Sequence, residues 1–331
     1  MHASLHEAYQ QHFKIGAAVN PLTIATQREL LTRHFNSITA ENEMKFVSVH
    51  PAEDQYTFAA ADRLVKFAQD HGMAVRGHTL VWHNQTSRWM FENRDGSAVS
   101  RETLLSRMKD HIETVVSRYK GQIHAWDVVN EAVSDSGTEM LRPSKWLDIA
   151  GEDFIAKAFE YAHAADPDAL LFYNDYNESD PVKREKIYAL VKSLLDKGVP
   201  IHGVGLQAHW SLYHPGLDDI RAAIERYSSL GLKLHITELD VSVFQFEDQR
   251  TDLNAPTEEM LLQQAERYRQ FFQLFKEYSE HITSVTFWGA ADDYTWLDDF
   301  PVRGRKNWPF LFDSAHQPKR SYESVLEAAR S

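Results

Sequence analysis

Two short apolar runs close on acidic residues: Ala125-Trp126-Asp127-Val128-Val129-Asn130-Glu131 and Leu234-His235-Ile236-Thr237-Glu238-Leu239-Asp240. Glutamate is disfavoured in strands and is seldom buried without a partner. A Glu at the end of each of two strand-like segments therefore reads as a carboxylate held at the mouth of a scaffold. Two such groups, one to donate a proton and one to attack, are what cleavage of a glycosidic bond requires.

The scaffold follows from the order of the apolar runs. Eight of them, at residues 13–19, 37–42, 74–80, 125–131, 169–175, 201–207, 233–240 and 282–289, alternate with windows of helical spacing. Among those windows are Leu104, Met108, Ile112, Val115 and Tyr119, then Ile187, Leu190, Val191, Leu194 and Leu195, then Leu261, Ala265, Tyr268, Phe272 and Phe275. Thr257, followed by Glu258 and Glu259, fits the N-cap and acidic first turn of the last of these. Strands apolar on both faces and alternating with helices predict an α/β fold, a single (β/α)8 TIM barrel. A doubly wound open sheet would carry a glycine-rich phosphate loop after its first strand, and the segment from Phe13 to Val19 has one glycine and no such loop. No linker or low-complexity tract interrupts the series, so residues 1–331 read as one catalytic domain.

At 331 residues and 43% hydrophobic content the chain is long for one domain unless that domain is a barrel. A net charge of -13 disfavours nucleic acid and anionic membranes as partners. The lack of cysteine removes disulfides, thiolate metal sites and a cysteine nucleophile. No window is long and apolar enough to span a bilayer, and the first residues lack a basic, then apolar, leader. A soluble, cytoplasmic protein is the expectation.

A barrel of this kind places its active site at the carboxyl ends of the strands. There the sequence supplies Glu41, Asn42 and Lys45; His78, Trp82 and His83; Asn130 and Glu131; Asn174, Asp175 and Tyr176; Gln207 and His209; Glu238 and Asp240; and Trp288 with Trp296 in the next loop. Amides, imidazoles, one lysine and several indoles around two carboxylates suit a carbohydrate, because polar groups bond hydroxyls while indole faces pack on the sugar ring. Trp126 and Trp146 read as structural.

Trp126-Asp127-Val128-Val129-Asn130-Glu131 and Ile236-Thr237-Glu238-Leu239-Asp240 resemble the acid/base and nucleophile signatures of family 10 glycoside hydrolases, the endo-β-1,4-xylanases. Glu41-Asn42-Glu43-Met44-Lys45, Gly77-His78-Thr79-Leu80-Val81-Trp82-His83, Gly205-Leu206-Gln207-Ala208-His209 and Thr286-Phe287-Trp288-Gly289 agree in order along the chain. The resemblance implies Glu131 as general acid/base and Glu238 as nucleophile. It assigns Glu41, Asn42, Lys45, His78, Trp82, Asn130, Gln207, His209, Trp288 and Trp296 to the glycone side of a cleft for xylan or xylo-oligosaccharides, and Tyr176 to the aglycone side. The amino terminus and the segment Arg305-Lys306-Asn307-Trp308-Pro309 resemble intracellular members, which act on short imported oligosaccharides.

On that reading the expected chemistry is retention through a double displacement, with the carboxyl groups about 5 to 5.5 Å apart. Glu238 is expected to be ionised with His209 on its carboxylate and Asp240 orienting the imidazole. Glu131 is expected to have a raised pKa, and Asn130 to donate to the sugar 2-hydroxyl. No cofactor and no metal are called for. A metal set of His78, His83, His209, Asp240 and Glu238 is the competing chemistry, opposed by Lys45 and by the lack of a His-x-Glu or His-Glu-x-x-His motif. A β-1,4-glucanase or an exo-acting β-xylosidase is the alternative within the same scaffold, and a non-catalytic carbohydrate-binding protein the alternative outside enzymes.

Overall fold

The computed structural model describes residues 3–331. In it, β1 (Lys14–Val19), β2 (Ser37–Ala40), β3 (Ala74–Trp82), β4 (Ala125–Asn130), β5 (Leu170–Asp175), β6 (Gly203–Leu206), β7 (His209–Ser211), β8 (Lys233–Ser242) and β9 (Ile282–Phe287) all pair in parallel. The ladder runs from β6 back through β1 to β9 and β8, and β6 pairs with β8 to close it. The result is the eight-stranded (β/α)8 barrel that the alternation predicts, with the short β7 alongside the upper part of β8.

The helices form where the spacing places them. Helix Arg101–Arg118 buries Leu104, Met108, Ile112 and Val115, with Ser100 capping its first turn through a bond from Thr103 N. Thr257 caps helix Glu258–Glu277 from Met260 N, as the sequence suggests. Asp180 caps helix Pro181–Asp196, and Pro181 occupies the first turn, where its missing N–H costs nothing.

The barrel interior is not wholly aliphatic. Arg76 on β3 donates to both carboxylate oxygens of Asp127 on β4 (3.1 and 2.6 Å) and to His235 Nδ1 on β8 (2.9 Å). Phe172 on β5 stacks on His235 at 4.0 Å. Gly203 and Gly205 on β6 leave room for Phe172 and Asn174, whose side chains a Cβ at either glycine would strike. A fully paired polar layer of this kind tolerates burial, whereas loss of one member would strand a charge.

Left-handed residues lie at or just beyond the ends of two strands. Glu131 has φ +59°, so β4 stops at Asn130, and Ala208, also at φ +59°, lies between β6, which ends at Leu206, and β7, which starts at His209. Two residues that carry or flank the expected chemistry therefore sit in the left-handed region, which costs a non-glycine residue about 1 kcal/mol or more.

Candidate active site

Glu238 lies inside β8 near a shift in register between Ile236 and Leu239. In a regular pleat, adjacent residues face opposite sides. Here Thr237 Oγ1 donates to Asn174 Oδ1 (2.7 Å) while Asn174 Nδ2 donates to Glu238 Oε2 (2.9 Å), so neighbours in sequence reach the same amide. His209 Nε2 donates to Glu238 Oε1 (3.1 Å) and its Nδ1 to Asp240 Oδ1 (3.0 Å). Trp296 Nε1 fills the other oxygen of Asp240 at 2.8 Å. Burial alone would favour a neutral His209, but Asp240 and Glu238 outweigh it and hold its pKa well above the ordinary histidine value. Burial would likewise raise Glu238. The bond from His209, the charges of His78 and His209 and the bond from Asn174 prevail, and its pKa falls below the usual glutamate value.

Glu131 sits among different neighbours. Asn130 Nδ2 and Gln207 Nε2 donate to its Oε2 at 3.0 and 3.3 Å. Burial, then the negative charges of Asp175 and Glu238, push its pKa up to about 7, against smaller opposing effects of Gln207 and Arg142. Arg142 Nε donates to the Glu131 carbonyl (2.9 Å), which helps hold the left-handed turn. Asn130 Oδ1 accepts from both Asn174 (3.0 Å) and Gln207 (3.1 Å). An unbroken chain of amides thus joins the two glutamates across the barrel mouth. The amide of Asn130, expected to reach a sugar hydroxyl, donates to Glu131.

Around this pair stand the other predicted residues. Lys45 is buried, bonds Asn42 Oδ1 (2.9 Å) and lies 5.0 Å from the Trp82 ring. Burial lowers its pKa against the pull of Glu238, Glu41, Glu131 and Glu43. Glu41 is buried with Asn20 Nδ2 at 3.4 Å, and burial raises it. His78 bonds Asp127 through Nδ1 (2.8 Å) and meets the edge of Trp288. Trp296 packs edge-on to His209 and stacks on Phe300 at 4.8 Å. Tyr176 lies on the β5 side, where its hydroxyl bonds Asp135 and Arg142 and its ring receives Lys183 at 3.7 Å. Trp126 and Trp146 are fully buried, and Trp126 fills the space that Gly77 leaves open.

Asp127, Arg76, Arg142, Asp135, Lys183 and Glu178 carry no role that the sequence alone discloses. Asp127 is fully buried yet held strongly acidic, because Arg76 and His78 outweigh the cost of burial. Its place inside the apolar run Trp126 to Glu131 was the available signal, since an Asp within an apolar strand demands a partner. Among the described residues, no three of His, Asp or Glu are placed to hold a metal ion, and no helix is long and apolar enough to cross a membrane.

Paired carboxyls of opposite tuning, in the sugar-suited mouth of a (β/α)8 barrel, define a glycoside hydrolase. The chain belongs to glycosyl hydrolase family 10, whose pattern matches residues 4–328. It is 62% identical over 324 residues to an endo-1,4-β-xylanase of Geobacillus stearothermophilus, covering 98% of each chain. It is 61% identical over 323 residues to endo-1,4-β-xylanase B of Paenibacillus barcinonensis, covering 98% of this chain and 97% of that protein. A crystal structure of a xylanase from Paenibacillus barcinonensis, complexed with a conduramine derivative, superposes with a TM-score of 0.97 at 61% identity over 98% of both chains. A mutant enzyme in complex with xylotriose gives a TM-score of 0.97 at 50% identity, covering 98% of this chain and 100% of that one.

Proposed function

We propose that this endo-1,4-β-xylanase cleaves xylan-derived chains by double displacement with retention, using Glu238 as nucleophile and Glu131 as acid and then base. The observation that carries the assignment is the opposite tuning of the two carboxyls, Glu131 raised to about 7 and Glu238 lowered. One group holding a proton and one lacking it is the starting state that the reaction needs.

Glu238 attacks the anomeric carbon while Glu131 protonates the departing glycosidic oxygen, which leaves a glycosyl ester on Glu238 and an ionised Glu131. Esterification removes the Glu238 charge, one of the causes that raise Glu131. The pKa of Glu131 then falls, and it takes a proton from the water that attacks the same carbon from the vacated side. Glu238 departs as a carboxylate, and His209 stabilises that returning charge.

The substrate class rests on the named activity of the relatives and on the xylotriose bound to one of them. Glu41, Asn42, Lys45, His78, Trp82, Asn130, Gln207, His209, Trp288 and Trp296 serve the glycone, and Tyr176 the aglycone. Trp296 is fixed by Asp240 and Phe300, so it forms a rigid wall where glucose, unlike xylose, would carry a hydroxymethyl group. Aryl xylobioside should therefore be cut far faster than aryl cellobioside. A cytoplasmic site of action on short oligosaccharides is part of the proposal, and cell fractionation together with product profiles on xylotriose and polymer tests it. For the mechanism, NMR of the first-formed product should show the β-anomer. An initial α-anomer would remove Glu238 from the role of nucleophile.

A further inference from the structure

Glu178 is a buried acid that the mechanism does not use, and its contacts are specific. Its Oε1 accepts from Ala208 N (3.2 Å) and from Trp210 Nε1 (3.0 Å), and Tyr227 donates to its backbone carbonyl (2.6 Å). The side chain is 1% exposed. Ala208 is the left-handed residue that separates β6 from β7, and nothing in its own side chain favours that conformation. Immediately before it, Gln207 reaches Asn130 and Glu131. Immediately after it, His209 bonds Glu238 and Asp240.

We propose that Glu178 is a positioning residue, which pins the Ala208 peptide in its left-handed turn and so aims Gln207 at the acid/base and His209 at the nucleophile. The proposal rests on the assignment of Glu238 made above. An unpinned Ala208 would relax toward the extended backbone that β6 otherwise follows. His209 would then lose its alignment with Glu238, and a buried carboxylate would lose its main hydrogen-bond donor. The groups facing Glu178 are His209, Lys183 and Tyr227, and those facing Glu238 are His209, His78, Lys45 and Glu131. Burial pushes the Glu178 carboxyl up to about 7. It is therefore neutral at the acid side of the activity profile, and its carbonyl oxygen is the acceptor that matters there. Glutamine reproduces that acceptor, whereas methionine fills a similar volume and accepts almost nothing.

The test compares kcat/KM against pH for the wild type, Glu178→Gln, Glu178→Met and Glu178→Met with Ala208→Gly. Methionine should lower kcat/KM by up to about 100-fold, the scale of a small misplacement of a reacting group. It should also move the acid limb up by about one unit, the equivalent of one lost charge-assisted hydrogen bond. Glutamine should keep most of the rate and leave the limb in place. Glycine at 208, which adopts a positive φ without penalty, should recover part of the methionine loss. Should the methionine variant not fold, Glu178→Asp, one methylene short of its donors, should show the same limb shift in smaller measure. An acid limb that stays fixed in a folded variant while only the melting temperature falls would overturn the proposal. That outcome would leave the role of Glu238 standing, because Glu238→Ala tests it separately.

Discussion

The two sides of the barrel mouth carry the same functional group in opposite electrical settings. On the side of β6 to β8, Glu238 receives an imidazole that is itself held protonated by Asp240, and an amide from Asn174. On the side of β4 and β5, Glu131 receives only amides and faces Asp175 and Glu238, and the cation Arg142 bonds its backbone carbonyl. Both are shielded from water, so burial pushes each upward, and the neighbours decide the outcome. The difference teaches that the role of each glutamate is set by what surrounds it.

The sharpest way to break the comparison is to remove each acid. Glu238→Ala should lower kcat by about 10⁴-fold or more on every substrate, as loss of a nucleophile does. Glu131→Ala should cost about 10²- to 10⁴-fold on xylo-oligosaccharides. With an activated aryl leaving group, the first step of the Glu131 variant should be nearly spared and the glycosyl-enzyme should accumulate, visible by mass spectrometry of the intact protein. Equal losses on both substrate types would erase the distinction between the two residues.

The pH profile sharpens it further. Glu238 must be ionised, so kcat/KM falls as pH drops through its lowered pKa. Glu131 must be protonated, so the rate falls again as pH rises through about 7. His209→Asn removes the principal donor to Glu238 and should raise the acid limb by about one unit or more while leaving the basic limb near its place. Asp175→Asn removes a negative charge that raises Glu131 and should lower the basic limb, by less than about one unit. If each substitution moved both limbs equally, the two settings would not be independent.

Much of this arrangement was legible in the residues themselves. A Glu at the end of an apolar run announces a carboxylate held at a surface. The order of the runs announces a closed barrel, and His209 with Asp240 was readable as a partner set for Glu238. The hidden part depends on register. Asn174 reaches Glu238 only because Gly205 lies beside it and because β8 shifts register near Glu238. Neither condition leaves a pattern along the chain. The left-handed turns at Glu131 and Ala208 were invisible for a similar reason, since neither is glycine and each is held by distant groups, Arg142 and Glu178. The Arg76, Asp127 and His235 layer joins three strands that only barrel closure brings together.

Central to the account is the claim that the glutamates hold different protonation states and that one changes when the other is esterified. Carbon-13 NMR titration of selectively labelled glutamate carboxyls, in the free enzyme and in a trapped glycosyl-enzyme, measures this directly. The account predicts that Glu131 titrates near 7 in the free enzyme, with Glu238 titrating below the ordinary glutamate value, and that the Glu131 transition moves down once the ester forms. Coincident titration of both carboxyls in the free enzyme, or a Glu131 transition unmoved by the ester, would contradict it.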